Sequence, residues 1–135
     1  MAKLIAVFGI LALVSAAAAA TGQSRLVGAP IEASENDADV QRALVFAVNE
    51  YNKRTNDMFV SRVAKINHVQ KQVVSGINII FDVDFSRTLC RKPKADVEQC
   101  EFHAEPDLAK TVKCSFVVYY VPWTGHTEVT WKQCS

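Results

Sequence analysis

The sequence holds no Cys-x-x-Cys and no His-Glu-x-x-His, so the usual spacings of a dithiol redox centre and of a zinc site are missing. Its three histidines, His68, His103 and His126, are scattered. None has a serine or cysteine beside it in a local catalytic arrangement, and they read as surface or turn residues. No enzyme, metal or cofactor is expected. A surplus of one charge is also missing. Lys3 is the only charged side chain in residues 1–20, so residues 21–135 carry 14 basic and 14 acidic groups. Phosphate binding needs surplus Lys and Arg, which argues against a nucleic-acid partner. Beyond residue 20 no apolar run is long enough to cross a bilayer, and no membrane partner is expected. Asn56, Asn67 and Asn78 each lack the Ser or Thr two positions on that N-glycosylation needs.

The chain has 135 residues, enough for one domain. Of residues 1–20, all but Lys3, Gly9 and Ser15 are apolar. A short positive start is followed by the greasy run from Leu4 to Val14 and by small residues from Ala16 to Ala20. That is the order of a cleaved export signal, with Ala18-Ala19-Ala20 before Thr21 meeting the small-x-small rule. The run from Leu4 to Ala20 lies at the lower limit for a membrane span. The expectation is therefore a signal peptide over 1–20 and a secreted, extracellular domain over 21–135. Export makes disulfides the default for the four cysteines, Cys90, Cys100, Cys114 and Cys134. Three pairings are open. The sequential one, Cys90–Cys100 and Cys114–Cys134, closes two short loops and is preferred.

Residues 21–34 contain Gly22, Gly28 and Pro30 without periodicity and read as a flexible arm. A helix follows, capped by Ser34 or Asn36, with Glu35, Asp37 and Asp39 near its positive end and Lys53 and Arg54 near its negative end. Val40, Leu44, Ala47, Val48 and Tyr51 share one face at helical spacing, and Thr55-Asn56-Asp57 breaks the pattern. The period then changes to two. Ile77, Ile79, Phe81, Val83 and Phe85 alternate with mainly polar residues, as do Val112, Cys114, Phe116, Val118 and Tyr120. Residues 58–71 read as a further long strand, Val129 and Trp131 mark a final one, and 91–110 reads as an irregular insertion. One striped helix and one-faced antiparallel strands fit together when the sheet wraps across the helix.

Two turns carry unusual residues. Gln72-Val73-Val74-Ser75-Gly76 places valines at a hairpin tip, where small polar residues are the rule. Pro122-Trp123 precedes the Thr124-Gly125 turn, and an exposed Trp suits a binding anchor. With strands paired in chain order, both turns can share one end of the sheet, within reach of Leu26-Val27-Gly28. Three protrusions in a row would form a wedge. The competing reading packs each against its own domain.

These residues resemble the secreted type-2 cystatins, inhibitors of papain-like cysteine proteases. The resemblance is carried by Leu26-Val27-Gly28-Ala29-Pro30, the helix stretch Arg42 to Asn52, Gln72-Val73-Val74-Ser75-Gly76 as a Q-x-V-x-G motif, Arg87-Thr88-Leu89-Cys90, Cys100-Glu101-Phe102-His103 and Pro122-Trp123. It implies an α+β cystatin-like fold, an antiparallel five-stranded sheet wrapped around one long helix, and the same sequential disulfides. It implies a reversible, tight-binding inhibitor of cathepsin-type proteases. Leu26, Val27 and Gly28 would take the non-primed side of the cleft. Gln72, Val73, Val74, Ser75 and Gly76 would cover the catalytic cysteine, and Pro122 and Trp123 would take the primed side. A monomer is expected, with potential for domain swapping at the Gln72–Gly76 hinge. The alternative is a non-inhibitory domain of the same fold, such as the propiece of a host-defence peptide. Asn56 carries two readings. It ends the helix in a left-handed conformation, or, as the resemblance implies, it is the centre of a second site that inhibits legumain, an asparagine-specific cysteine protease.

Overall fold

A computed structural model describes residues 28–135. The export segment, its cleavage bond and Leu26-Val27 lie outside the described residues. The elements run β1 (Ile31–Glu32), α1 (Ala38–Arg54), β2 (Phe59–Val74), β3 (Gly76–Arg91), a short 3-10 turn (Val97–Gln99), α2 (Pro106–Ala109), β4 (Val112–Val121) and β5 (His126–Cys134). The five strands form one antiparallel sheet in the order β1-β2-β3-β4-β5, and α1 lies against β2, β3, β4 and β5. The fold is α+β, as expected. The two-residue β1 falls inside the segment read as an unstructured arm. Two residues are too few to display a period of two.

Hydrophobic burial drives this arrangement. The inward faces of β3 and β4 supply Ile79, Phe81, Val83, Phe85, Phe116 and Val118, all buried. From α1 come Val40, Ala43, Ala47, Val48 and Tyr51. Leu44, expected on that stripe, is only partly buried, and the small Ala43 is buried in its place. Tyr51 stacks on Phe85 with ring centroids 4.2 Å apart, and Phe85 meets Phe116 edge-on at 5.7 Å. Both disulfides take the sequential pairing, Cys90 with Cys100 and Cys114 with Cys134. The first ties the insertion to the end of β3. The second joins cross-strand partners of β4 and β5.

Two expectations about α1 are corrected. Its N-cap is Asp37, not Ser34 or Asn36. Asp37 Oδ1 accepts from the backbone N–H groups of Asp39 at 2.8 Å and Val40 at 3.3 Å. Ser34 shapes the preceding turn instead, its Oγ accepting from Asn36 N at 3.0 Å. At the other end no residue turns left-handed. Thr55 is the C-cap at φ −92°, and Lys110 is the one non-glycine residue of positive φ among the described residues. Lys92 Nζ makes a left-handed cap unnecessary. It donates to the carbonyl oxygens of Asn52 at 2.7 Å and Thr55 at 2.8 Å and to Thr55 Oγ1 at 2.9 Å.

The final strand expected at Val129 and Trp131 is β5, but it is not regular. Strict alternation puts Val129 and Trp131 on one face, but the register slips between Val117 and Val118. Val118 pairs with Val129 and Val117 with Trp131, leaving Thr130 as the extra residue. Val129 packs against the core, while Trp131 turns outward and is 48% exposed. His103 also departs from expectation. It is partly buried against Phe59, with ring centroids 5.4 Å apart, and its Nε2 has no hydrogen-bond partner among the described residues.

Asp37 also anchors the helix to the sheet. Lys71 Nζ sits 3.0 Å from Asp37 Oδ2 and 2.9 Å from Asp39 Oδ2. The hydrogen bonds to Lys71 hold both carboxyls below their ordinary value, and those bonds raise the Lys71 ammonium. The carboxylate part of this stability is present above the ordinary carboxylate range and is lost as pH falls through the lowered values. The Lys71 part is lost only as pH rises through its raised value. Lys71→Met is therefore expected to destabilise the protein by about 1–3 kcal/mol at pH 7. In urea titrations the gap to the parent should begin to close as pH falls below ~4, where unfolded carboxylates protonate, and should close further as pH falls through the lowered native values. A gap that persists unchanged in acid would contradict this role.

Candidate functional site

Strand register decides what meets at the exposed end of the sheet. Val74 pairs with Gly76, so Ser75 alone forms the bend between β2 and β3. Both valines of the motif thus belong to β2 rather than to a loop. Val73 is 62% exposed, and Val74 is partly buried. On the next strand Ile77 pairs with Tyr120, and Val121 pairs with His126. The bend at Ser75 and the turn over Pro122–Gly125 therefore lie side by side. Gly28 completes the row, its N–H donating to the Val73 carbonyl at 2.9 Å.

The hairpin tip is tightly fitted. Gly76 has φ +117°, a region that L side chains rarely adopt. A Cβ there would lie 2.9 Å from Tyr119 Cε1 and 2.9 Å from the Tyr120 carbonyl. Tyr119 also donates its hydroxyl to the Ser75 carbonyl. Its ring meets His126 at a centroid distance of 6.3 Å, which links the two hairpins across the outer face. In the second hairpin the Val121 carbonyl accepts from Thr124 N at 3.2 Å and Gly125 N at 2.8 Å. That leaves Pro122 and Trp123 projecting, with Trp123 71% exposed.

The structure thus brings Gly28, Gln72, Val73, Val74, Ser75, Gly76, Pro122 and Trp123 to one edge. Asn56 is placed elsewhere, in the connection between α1 and β2. The sixteen residues of β2 separate it from the tip, roughly 50 Å of strand contour. Asn56 is exposed and its neighbours are held. Lys92 fixes Thr55, and Asp57 accepts from Phe59 N at 3.0 Å and from Arg87 Nε at 2.8 Å. Burial pushes the Asp57 carboxyl up, but the Arg87 and Phe59 hydrogen bonds and the charges of Arg87 and Lys110 outweigh it and hold the group below its ordinary value.

Tyr119, Asn78 and Lys92 support these edges and escaped the sequence reading. Tyr119 and Asn78 occupy polar-face positions of otherwise regular strands, which marks them only as solvent-facing. Lys92 lies 37 residues from Thr55, and no local pattern links the two. A cleft of about 510 Å³ between α1, β2 and the 95–98 segment includes no residue of either hairpin tip. Among the described residues no group of three or more His, Cys, Asp or Glu is arranged to hold a metal ion.

Gly76→Ala places a methyl group where the strands leave no room. It is expected to destabilise the fold by about 1–3 kcal/mol, read from the urea midpoint, through strain and forced movement of Tyr119. No change in midpoint would contradict the fit described.

Comparison with known proteins places this geometry. The cystatin domain family matches residues 28–123. A cystatin from Coturnix japonica is 49% identical over 113 residues, covering 84% of this chain and 97% of the relative. Cystatin-C from Homo sapiens is 42% identical over 130 residues, covering 93% and 89%. Among solved structures, dimeric human cystatin F aligns with a TM-score of 0.72 at 31% identity, covering 79% of this chain and 86% of that one. The family match, the sequence identities and the structural alignment agree, and the chain belongs to the cystatin family of cysteine protease inhibitors.

Proposed function

We propose that the chain is a secreted, reversible, tight-binding inhibitor of papain-like cysteine proteases of the cathepsin type. It acts as a wedge. Leu26, Val27 and Gly28 enter the non-primed side of the cleft, Gln72 to Gly76 cover the catalytic cysteine, and Pro122 and Trp123 fill the primed side. The observation that carries this reading is the alignment of Gly28, the Ser75 bend and the exposed Trp123 on one edge. Val73 and Trp123 present apolar surface at that edge, worth about 25 cal/mol per Å² once covered. Their hairpins are already ordered by the sheet, so little conformational freedom is lost on docking. The tip offers a bend braced by Tyr119, not an extended segment laid along the cleft, so the inhibitor blocks the nucleophile without presenting a bond to it. Residues 1–20 are read as the export signal that delivers the domain to an oxidising compartment, in keeping with its two disulfides.

Residues 21–135 are expected to titrate papain to zero activity at near-equimolar ratio, with activity recovered on dilution. Full papain activity at stoichiometric inhibitor would overturn the reading. Trp123→Ala should weaken binding by on the order of 2 kcal/mol, about thirtyfold in Kd, if the indole is an anchor.

A second site at Asn56 rests on a separate observation. The side chain is exposed on a connection whose flanking residues are pinned, as a recognition loop requires. A protease pocket selective for asparagine would read its amide by hydrogen bonds and reject a residue lacking them. Asn56→Lys is expected to abolish legumain inhibition and leave papain inhibition unchanged. Wild-type protein that fails to inhibit legumain, or a substitution that weakens both activities, would refute the two-site arrangement.

A further inference from the structure

The side chain of Gln72 is engaged within the chain. Its Nε2 donates to the Gly28 carbonyl at 3.0 Å, and its Oε1 accepts from Asn78 Nδ2 at 3.2 Å. Gln72 and Asn78 are cross-strand partners on β2 and β3, so the second amide orients the first. Gly28 meanwhile donates its own N–H to the Val73 carbonyl at 2.9 Å. Both backbone polar groups of Gly28 are therefore fastened to β2. The approach is close enough that a Cβ on Gly28 would lie 3.2 Å from the Val73 oxygen. The next tie towards the helix is the β1 pairing of Ile31 with Lys71.

We propose that Asn78 and Gln72 form a brace that seats the root of the arm at Gly28, and that the Gln72 side chain serves inhibition by positioning its own chain, while only the Gln72 backbone takes part in covering the cleft. The proposal rests on the wedge reading above. Fastening Gly28 at both its N–H and its carbonyl fixes the position of that residue on β2. The arm then starts its search for the cleft from a defined point, and less freedom is lost when it docks. Asn78 becomes a positioning residue at one remove. Its side-chain amide donates to Gln72 and acts by holding the Gln72 amide in its donating orientation.

Two measurements on the secreted chain test this. The first needs no protease. Hydrogen exchange of the Gly28 amide, followed by NMR, should quicken about 3- to 10-fold in Gln72→Ala, the loss of one net hydrogen bond. It should quicken in the same direction, by a smaller factor, in Asn78→Ala. Unchanged exchange in both variants would overturn the brace. The second is a cycle read in dissociation rates from papain. Gln72→Ala should speed dissociation about 3- to 10-fold in the parent, and less than about twofold in a background carrying Leu26→Ala and Val27→Ala, where the arm has nothing left to deliver. An equal loss in both backgrounds would mean that the Gln72 side chain touches the protease itself, and the proposal falls. If the parent fails to inhibit papain at all, the wedge reading falls, while Gly28 exchange still decides the brace.

Discussion

The exposed edge depends on the register of β3. That strand is paired on both sides, and its inward residues Ile79, Phe81, Val83 and Phe85 are almost wholly buried beneath α1. A slip of one residue would carry Asn78, Asp82 and Asp84 into the apolar core and turn four large side chains to water. The cost of that exchange fixes where β3 begins. Its first residue is Gly76, so the bend falls at Ser75, and the pairing of Ile77 with Tyr120 sets that bend beside the turn after Val121. Two hairpins meet at one end because one buried strand cannot shift. The exposed edge is a consequence of core packing some distance away.

The supporting contacts are of different kinds at the two ends of the sheet. At the hairpin end they are close approaches: a positive-φ glycine under an aromatic ring, a tyrosine hydroxyl on a carbonyl, and a backbone glycine held flat on β2. At the Asn56 end they are charges: Lys92 on the helix C-terminus and Arg87 on Asp57. Asn52 adds to this end, exchanging hydrogen bonds with both backbone groups of Ser61. Each end is held by its own contacts, and the long strands between them share only the core. Under the proposed reading, that separation would let a change at one end leave the other undisturbed.

Much of this was legible in the sequence, for identifiable reasons. The alternation in β3 and β4 and the stripe on α1 are direct imprints of burial, and they led to the layered arrangement that the structure has. The Gln72–Gly76 and Pro122–Trp123 turns stood out because their residues contradict ordinary turn chemistry. The errors share a different origin. Ser34, Asn36 and Asp37 are all competent N-caps, and the choice is made by Lys71, a strand residue 34 positions away. The end of α1 needs no left-handed Asn56 because Lys92 arrives from the end of β3. Trp131, which the sequence marked only as part of a strand, faces outward because one extra residue interrupts β5. In each case a contact distant in sequence, or a single-residue irregularity, overrides a correct local preference. The braces at Gly28 and Ser75 escaped for the same reason, since an asparagine or tyrosine on the wet face of a strand carries no mark of its partner.

The central claim is that the hairpin edge, and not another apolar surface, meets the protease. The protein holds its own control, because Trp123 and Trp131 are both exposed but lie on different surfaces. Hydroxyl-radical footprinting of the free inhibitor and of its complex with papain compares them in one experiment. The account predicts strong protection of Trp123 on complex formation and unchanged oxidation of Trp131. A complex in which Trp123 stays as reactive as in the free chain, or in which Trp131 is the one protected, would contradict it.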